Sequence, residues 1–120
     1  MTAANEPVEP EITYGDFRKI DIRVGTILAV EPFPEARKPA FKMTVDFGPE
    51  IGTRRSSAQI TKHYRAEELI GRQIAAVVNF PKKQIGPFMS EALVLGFPDE
   101  ANEVVLIGPG HKVPNGGRLF

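Results

Sequence analysis

Residues 20–30 restrict the choice of fold more than any other stretch of the chain. Ile20, Ile22 and Val24 alternate with Asp21 and Arg23, the period of a strand with one buried face. Gly25 interrupts the pattern, and Thr26-Ile27-Leu28-Ala29-Val30 then runs almost continuously apolar, as though both faces were covered. Glycine inside a strand marks a bulge or a sharp bend. The stretch therefore reads as one long, bent strand. A strand that changes its burial pattern across a bend serves two sheets at once, which is how a small barrel turns its corner.

The later segments read as partners for that strand. Phe41, Met43, Val45 and Phe47 alternate with Lys42, Thr44 and Asp46, which predicts a second strand with one wet face. Gly48-Pro49 ends it as a turn. Residues 51–58 predict a third strand, with Arg54, Arg55, Ser56 and Ser57 on an exposed face. Residues 59–71 are helical in part, with Ile60, Tyr64 and Leu69 toward the barrel and Gly71 closing the helix. Residues 72–80 predict a fourth strand that is apolar on both faces over residues 74–78, and residues 92–97 a fifth. Between them, residues 81–89 read as a loop. Residues 98–103 form an acidic turn and residues 104–107 another short strand. Gly108-Pro109-Gly110 is a turn, and Asn115-Gly116-Gly117 carries the strongest hairpin signal in the chain. A helix between the third and fourth of five strands is the order of an OB-fold, a Greek-key barrel. The fold class expected is all-β with a short helix.

Residues 1–12 are polar and proline-containing and read as a flexible tail, leaving residues 13–120 as one domain. Thr13 and Asp16 have capping-box spacing and predict a short helical turn. That turn sets Tyr14 and Phe17 three residues apart on one surface, either as a lid on the barrel or as a contact with a second subunit. In the proline-rich loop 31–39, Phe33 is either a core anchor or an exposed binding ring.

Chemistry is constrained mainly by what is missing. With no cysteine, disulfides, thiolate metal sites and cysteine nucleophiles are excluded, and a cytoplasmic location is expected. There is no signal-peptide order at the start and no apolar run of membrane-spanning length, so no membrane insertion is expected. His63 and His111 lack carboxylates at metal-ligand spacing, so no metal or other cofactor is expected. Ser56 and Ser57 lack the context of a nucleophile elbow. Gly108-Pro109-Gly110 lacks the lysine and the helix of a phosphate loop. The reading is of a non-enzymatic protein.

Charge carries more information. The formal net charge is +0, yet residues 51–90 hold Arg54, Arg55, Lys62, Arg65, Arg72, Lys82 and Lys83 against Glu67 and Glu68. That basic middle lies between acidic flanks and is either chance clustering of solvated charge or a binding face. As a nucleic-acid face it offers Arg54, Arg55, Lys82 and Lys83 to phosphates, with Asn79 and Ser90 as neutral hydrogen-bonding groups. As a face for extended polypeptide it offers Phe33, Phe88 and Met89 beside Arg54. Leu119 and Phe120 are apolar and need cover.

Asp16-Phe17-x-Lys19-Ile20-Asp21-Ile22-Arg23-Val24-Gly25 resembles the opening signature of the tRNA-binding domain family, and Asn79-Phe80-Pro81 followed by Ser90 fits its pattern. Residues 32–39, 56–61 and 90–96 are similar to the CsaA-type, export-related chaperones within that family. The resemblance implies an OB-fold homodimer built through its N- and C-terminal extensions, which gives Tyr14, Phe17, Leu119 and Phe120 a partner. It implies unfolded or pre-secretory polypeptides as ligands, with tRNA as a second one. Ser90-Glu91-Ala92-Leu93 departs from the Ser-x-Gly-Met of tRNA-binding members, and Glu91 adds negative charge near the groove. Polypeptide binding is therefore ranked first, and a tRNA binder without a chaperone role is the alternative.

Overall fold

The computed structural model describes residues 3–120, and residues 1 and 2 of the expected tail lie outside the described residues. A short turn at Ala3–Asn5 leads through an exposed segment to helix α1 (Tyr14–Arg18). Its capping box is present: the Thr13 hydroxyl accepts from the Asp16 N–H at 3.1 Å, and the Asp16 carboxylate accepts from the Thr13 N–H at 3.2 Å.

Strand β1 spans Ile22–Pro32, two residues later than the alternation predicts at each end. Ile20 is instead exposed beyond the end of α1. β1 pairs antiparallel with β4 (Gln73–Val77) through Ile22 to Thr26, and with β2 (Phe41–Asp46) from Thr26 to Pro32. One strand thus serves two neighbours, with Thr26 at the handover.

The bulge is not at Gly25. The register with β2 shifts between Ile27 and Ala29, which makes Leu28 the extra residue and leaves it exposed. Gly25 answers to packing instead. A Cβ there would lie 2.6 Å from Val45 Cγ1 and 2.8 Å from the Phe47 ring. Contrary to the two-sided reading of residues 26–30, only Ile27 is buried there.

β2 leads into a one-turn helix α2 (Gly48–Ile51) with Pro49 in its first turn, where only a turn is expected. Strand β3 (Thr53–Ala58) is correspondingly shorter than predicted. Helix α3 (Ala66–Leu69) follows, closed by Gly71 at φ +90°. Leu69 and Ile60 are fully buried beneath it, and Tyr64 packs beside them. β4 is buried at Ile74, Ala75, Ala76 and Val77, so its apolar run does lie inside on both faces.

The predicted loop 81–89 is a hairpin, β5 (Lys83–Ile85) and β6 (Phe88–Ser90), turning at Gly86-Pro87. The predicted fifth strand splits into β7 (Leu93–Val94) and β8 (Gly96–Pro98), and β8 pairs with β9 (Val104–Leu106). The main sheet has the order β3-β2-β1-β4-β7. It closes on itself where the Glu91 N–H donates to the Arg55 carbonyl at 2.8 Å and the Ser56 hydroxyl to the Ala92 carbonyl at 2.6 Å. This is a five-stranded, nearly closed OB-fold barrel with α3 between its third and fourth strands.

Asn115-Gly116-Gly117 makes no hairpin. It turns the chain onto β1: the Gly116 N–H donates to the Val24 carbonyl at 2.8 Å, and the Leu119 N–H to the Ile22 carbonyl at 2.8 Å. Gly48 and Gly116, both at positive φ, let the two segments approach there (a Cβ on Gly116 would lie 2.6 Å from the Phe47 carbonyl oxygen). The core joins Ile27, Met43, Val45, Phe47, Ile74 and Val78. A separate small core holds Phe33, Ala40 and Phe88.

Candidate functional site

Beside the seam of the barrel lie two depressions separated by Phe80-Pro81. The larger is an open cleft of about 610 Å³ lined by Thr53, Arg54, Asn79, Phe80, Lys82 and Glu91. The smaller is a notch of about 210 Å³, mostly apolar, lined by Phe80, Pro81, Lys83, Ser90, Ala92 and Leu93. Both arise because β4 runs out at Val77 and Pro81 breaks any continuation of the ladder before β5.

The polar residues of this face are largely engaged within the protein. Alternation along β3 sends Arg54 and Arg55 to opposite sides. The Arg54 guanidinium is half-buried and donates to the Val78 carbonyl at 2.6 Å and the Glu91 carbonyl at 3.3 Å. Arg55 leaves the cleft altogether: it pairs with Glu31 at 2.7 Å and lies over the Phe88 ring at 4.8 Å. Asn79 uses both ends of its amide on the backbone after α1, accepting from the Asp21 N–H at 2.9 Å and donating to the Lys19 carbonyl at 2.7 Å. The Ser90 hydroxyl donates to the Ala92 carbonyl at 3.3 Å. Lys82 pairs with Glu91 at 3.5 Å, so each offsets the other's charge. Lys83 stands exposed at the notch.

Phe33 and Phe88 do not offer their rings. They are 3% and 4% exposed and meet edge to face with centroids 5.4 Å apart. They form the floor that fixes the β5–β6 hairpin, which is the core-anchor reading of Phe33. Of the residues expected to touch a polypeptide, Met89 is exposed, at 42%. The exposed apolar groups nearest the notch are ones the sequence reading passed over: Phe80 at 55% and Leu93 at 50%. Phe80 follows the buried run of β4, and Leu93 sits in a two-residue strand. Neither position belongs to a pattern long enough to tell inside from outside.

The other expected interface holds its residues in two places. Tyr14 and Phe17 meet on α1 with their rings tilted at 48° and centroids 6.0 Å apart. Leu119 and Phe120 rim an apolar hollow of about 430 Å³ whose walls include Ile22, Val24, Ala75 and Ile107. Among the described residues, no group of three or more His, Cys, Asp or Glu is placed to hold a metal, and no helix is long and apolar enough to cross a membrane.

An OB-fold barrel with an open cleft along its seam defines a class of small ligand-binding modules. Within that class the chain belongs to the tRNA-binding domain family: the family described as a putative tRNA binding domain matches residues 22–118. Among solved structures it is similar to the chaperone CsaA of Bacillus anthracis, with a TM-score of 0.87 and 50% identity over 92% of this chain and 100% of that one. The CsaA chaperone protein of Picrophilus torridus is 52% identical with a TM-score of 0.85, again over 92% of this chain and all of that one. The resemblance to CsaA-type proteins read from residues 32–39, 56–61 and 90–96 thus has its counterpart in these neighbours. Methionine–tRNA ligase of Porphyromonas gingivalis is 34% identical over 113 residues, 94% of this chain. The chain spans only 16% of that ligase's length.

Proposed function

We propose that this protein is a CsaA-like, export-related chaperone that holds unfolded or pre-secretory polypeptides in extended form along the seam of its barrel. One observation carries the reading: an apolar notch large enough for a single side chain, flanked by exposed Phe80 and Leu93 and rimmed by Lys83. An extended chain places alternate side chains on one side. A client would set an apolar residue in the notch and carry an acidic one past Lys82 and Lys83. Met89 on the hairpin and Arg54 in the cleft extend that track.

The test is fluorescence anisotropy with a labelled, unstructured apolar–acidic peptide. Phe80→Ser combined with Leu93→Ser is expected to weaken binding about tenfold, the loss of roughly 1.4 kcal/mol. Both side chains are on the surface, so the melting temperature should hold. Unchanged affinity in the double variant would remove the notch from the site.

Two copies joined through the hollow that Leu119 and Phe120 rim, with Tyr14 and Phe17 on α1 as a second contact, would present two notches to one client and raise avidity. Leu119→Asp with Phe120→Asp is expected to shift sedimentation from dimer to monomer. A sedimentation coefficient that stays that of a dimer would place the interface elsewhere.

The second reading is favoured by the family match: a structure-specific tRNA binder without a chaperone role. Its sequence-derived contacts are Arg54, Arg55, Asn79, Lys82, Lys83 and Ser90. Tight peptide binding that bulk tRNA does not displace would separate the two activities.

A further inference from the structure

We infer that RNA phosphates are held at the opposite end of β4 from the polypeptide notch, in a cleft formed by Arg72, His111 and Lys112. The inference rests on the family's tRNA-binding reading and relocates its contacts. Apart from exposed Lys83, the polar and charged groups of the seam are already engaged. Arg54, Asn79 and Ser90 are bonded to backbone groups, Arg55 is paired with Glu31, and Lys82 with Glu91. A phosphate arriving there would meet Glu91 and would have to compete with the bonds that already engage Arg54, Asn79 and Ser90.

The far cleft has the reverse character. It is open, about 540 Å³, and lined by Arg72, Gln73, Gly108, Gly110, His111 and Lys112 among others, with no carboxylate in its wall. Glu68, the acid that feels Arg72, is bonded to Arg65 at 3.3 Å. Arg72 is held in place by lying over the Tyr64 ring at 5.0 Å.

The loop that carries His111 and Lys112 is pinned at both ends. Gly108 packs so closely on the Gln73 backbone that no side chain would fit. The Gln73 amide donates to the Val113 carbonyl at 2.7 Å and accepts from the Val113 N–H at 3.1 Å. Between those pins, the main-chain N–H groups of Gly110, His111 and Lys112 donate to no other described residue. Unpaired main-chain N–H groups can donate to an anion, and Arg72 and Lys112, which line the same cleft, supply the charge. Gly108-Pro109-Gly110 has no lysine at phosphate-loop spacing, but the fold brings Arg72 and Lys112 into the same cleft. The cleft is too open to enclose a small anion, so it suits a polymer's backbone. Arg72 precedes β4 and Asn79 follows it, which sets the two ends about 20 Å apart. RNA and polypeptide would then bind without excluding each other.

The experiment compares three full-length proteins for binding to bulk tRNA over a range of salt, and to the labelled peptide. Arg72→Gln with Lys112→Gln is expected to lower tRNA affinity at least tenfold and to flatten the salt dependence by about 1.5 in log–log slope, two phosphate contacts' worth. Its peptide affinity should be unchanged. Lys82→Gln with Lys83→Gln should leave tRNA affinity within about twofold. Inorganic phosphate at matched ionic strength should not compete, which separates a polymer site from a free-phosphate site. Competition by inorganic phosphate overturns the assignment to RNA. Loss of tRNA binding in the Lys82/Lys83 variant, or none in the Arg72/Lys112 variant, overturns the placement. Wild-type protein that ignores tRNA overturns the inference while leaving the peptide reading to its own test. Because Arg72 also packs on Tyr64, Lys112→Glu alone serves as the folded control and should lose tRNA affinity about tenfold without a change in melting temperature.

Discussion

Phe47→Ala is expected to lower the stability of the domain by about 3–5 kcal/mol. Phe47 is the largest of the fully buried side chains. Its ring fills the space that Gly25 leaves beside β1, its carbonyl oxygen faces Gly116, and its N–H donates to Gly52 at 3.0 Å. Truncation therefore opens a cavity where β1, β2 and the 115–117 turn meet. A single domain of this size commonly has about 5–15 kcal/mol in total, so the loss is a large fraction. Urea unfolding should show a lower midpoint with an unchanged slope. Gly25→Ala tests the same contact from the other side and should cost about 1–3 kcal/mol through overpacking. In the Phe47→Ala background part of that cost should disappear, because the new methyl enters the vacated space. The clash with Val45 Cγ1 at 2.6 Å would remain. Strict additivity of the two substitutions would mean that Gly25 is not there to admit the Phe47 ring.

That contact also marks where sequence reading stops. The bent strand, its two neighbours and the inward set Met43, Val45 and Phe47 follow from alternation, because a period of two fixes which side of a sheet each residue takes. The buried run Ile74 to Val78 follows from the absence of alternation, and the Thr13–Asp16 cap from local spacing. Gly25 was legible as special, but not why. A bulge and a close approach leave the same glycine, and the bulge residue Leu28 carries no mark. Asn115-Gly116 is a strong turn signal that the fold uses to dock a segment on β1 instead of reversing a hairpin. The β5–β6 hairpin was missed because strands of three residues are too short to show a period.

The site was less legible than the barrel. Lys82, Lys83, Asn79 and Arg54 lie near one seam of the barrel. What each side chain does there depends on partners far along the chain: Asn79 on Lys19 and Asp21, Arg54 on Val78, Arg55 on Glu31. Nothing local distinguishes a lysine facing solvent from one paired to Glu91. Phe33 read as either a core anchor or a binding ring, and Phe88 as part of an apolar surface beside the basic residues. They bury each other, and only coordinates relate two positions so far apart.

Asp21→Asn is expected to destabilise the protein by about 1–3 kcal/mol at neutral pH, and the deficit should vanish in acid. Asp21 fastens three segments. It pairs with Arg23 at 2.6 Å, faces Arg118 Nε at 3.5 Å without a hydrogen bond, and receives the Asn79 amide's support through its own N–H. Arg23 in turn donates to the Gly116 carbonyl at 3.0 Å, and Arg118 to the Arg18 carbonyl at 2.6 Å. Removing the carboxylate charge leaves two partly buried guanidinium groups without their counter-ion. Breaking a fully buried pair costs about 3–5 kcal/mol, and the figure here is reduced because these side chains keep about a quarter of their exposure. The hydrogen bond from Arg23 holds the Asp21 carboxyl below its usual pKa, with the Arg23 and Arg118 charges adding to the effect. A carboxyl whose folded pKa is lowered stabilises the fold above its unfolded value, about pH 4, and that contribution is lost as pH falls through the folded value. Wild type and Asp21→Asn should therefore differ by a constant amount above pH 5 and converge below pH 4, measured as urea midpoints across the range. Once protonated, the aspartate side chain is, like asparagine, neutral. A gap that persists after protonation would show that geometry at Asp21, not its charge, ties residues 116–118 to the start of β1.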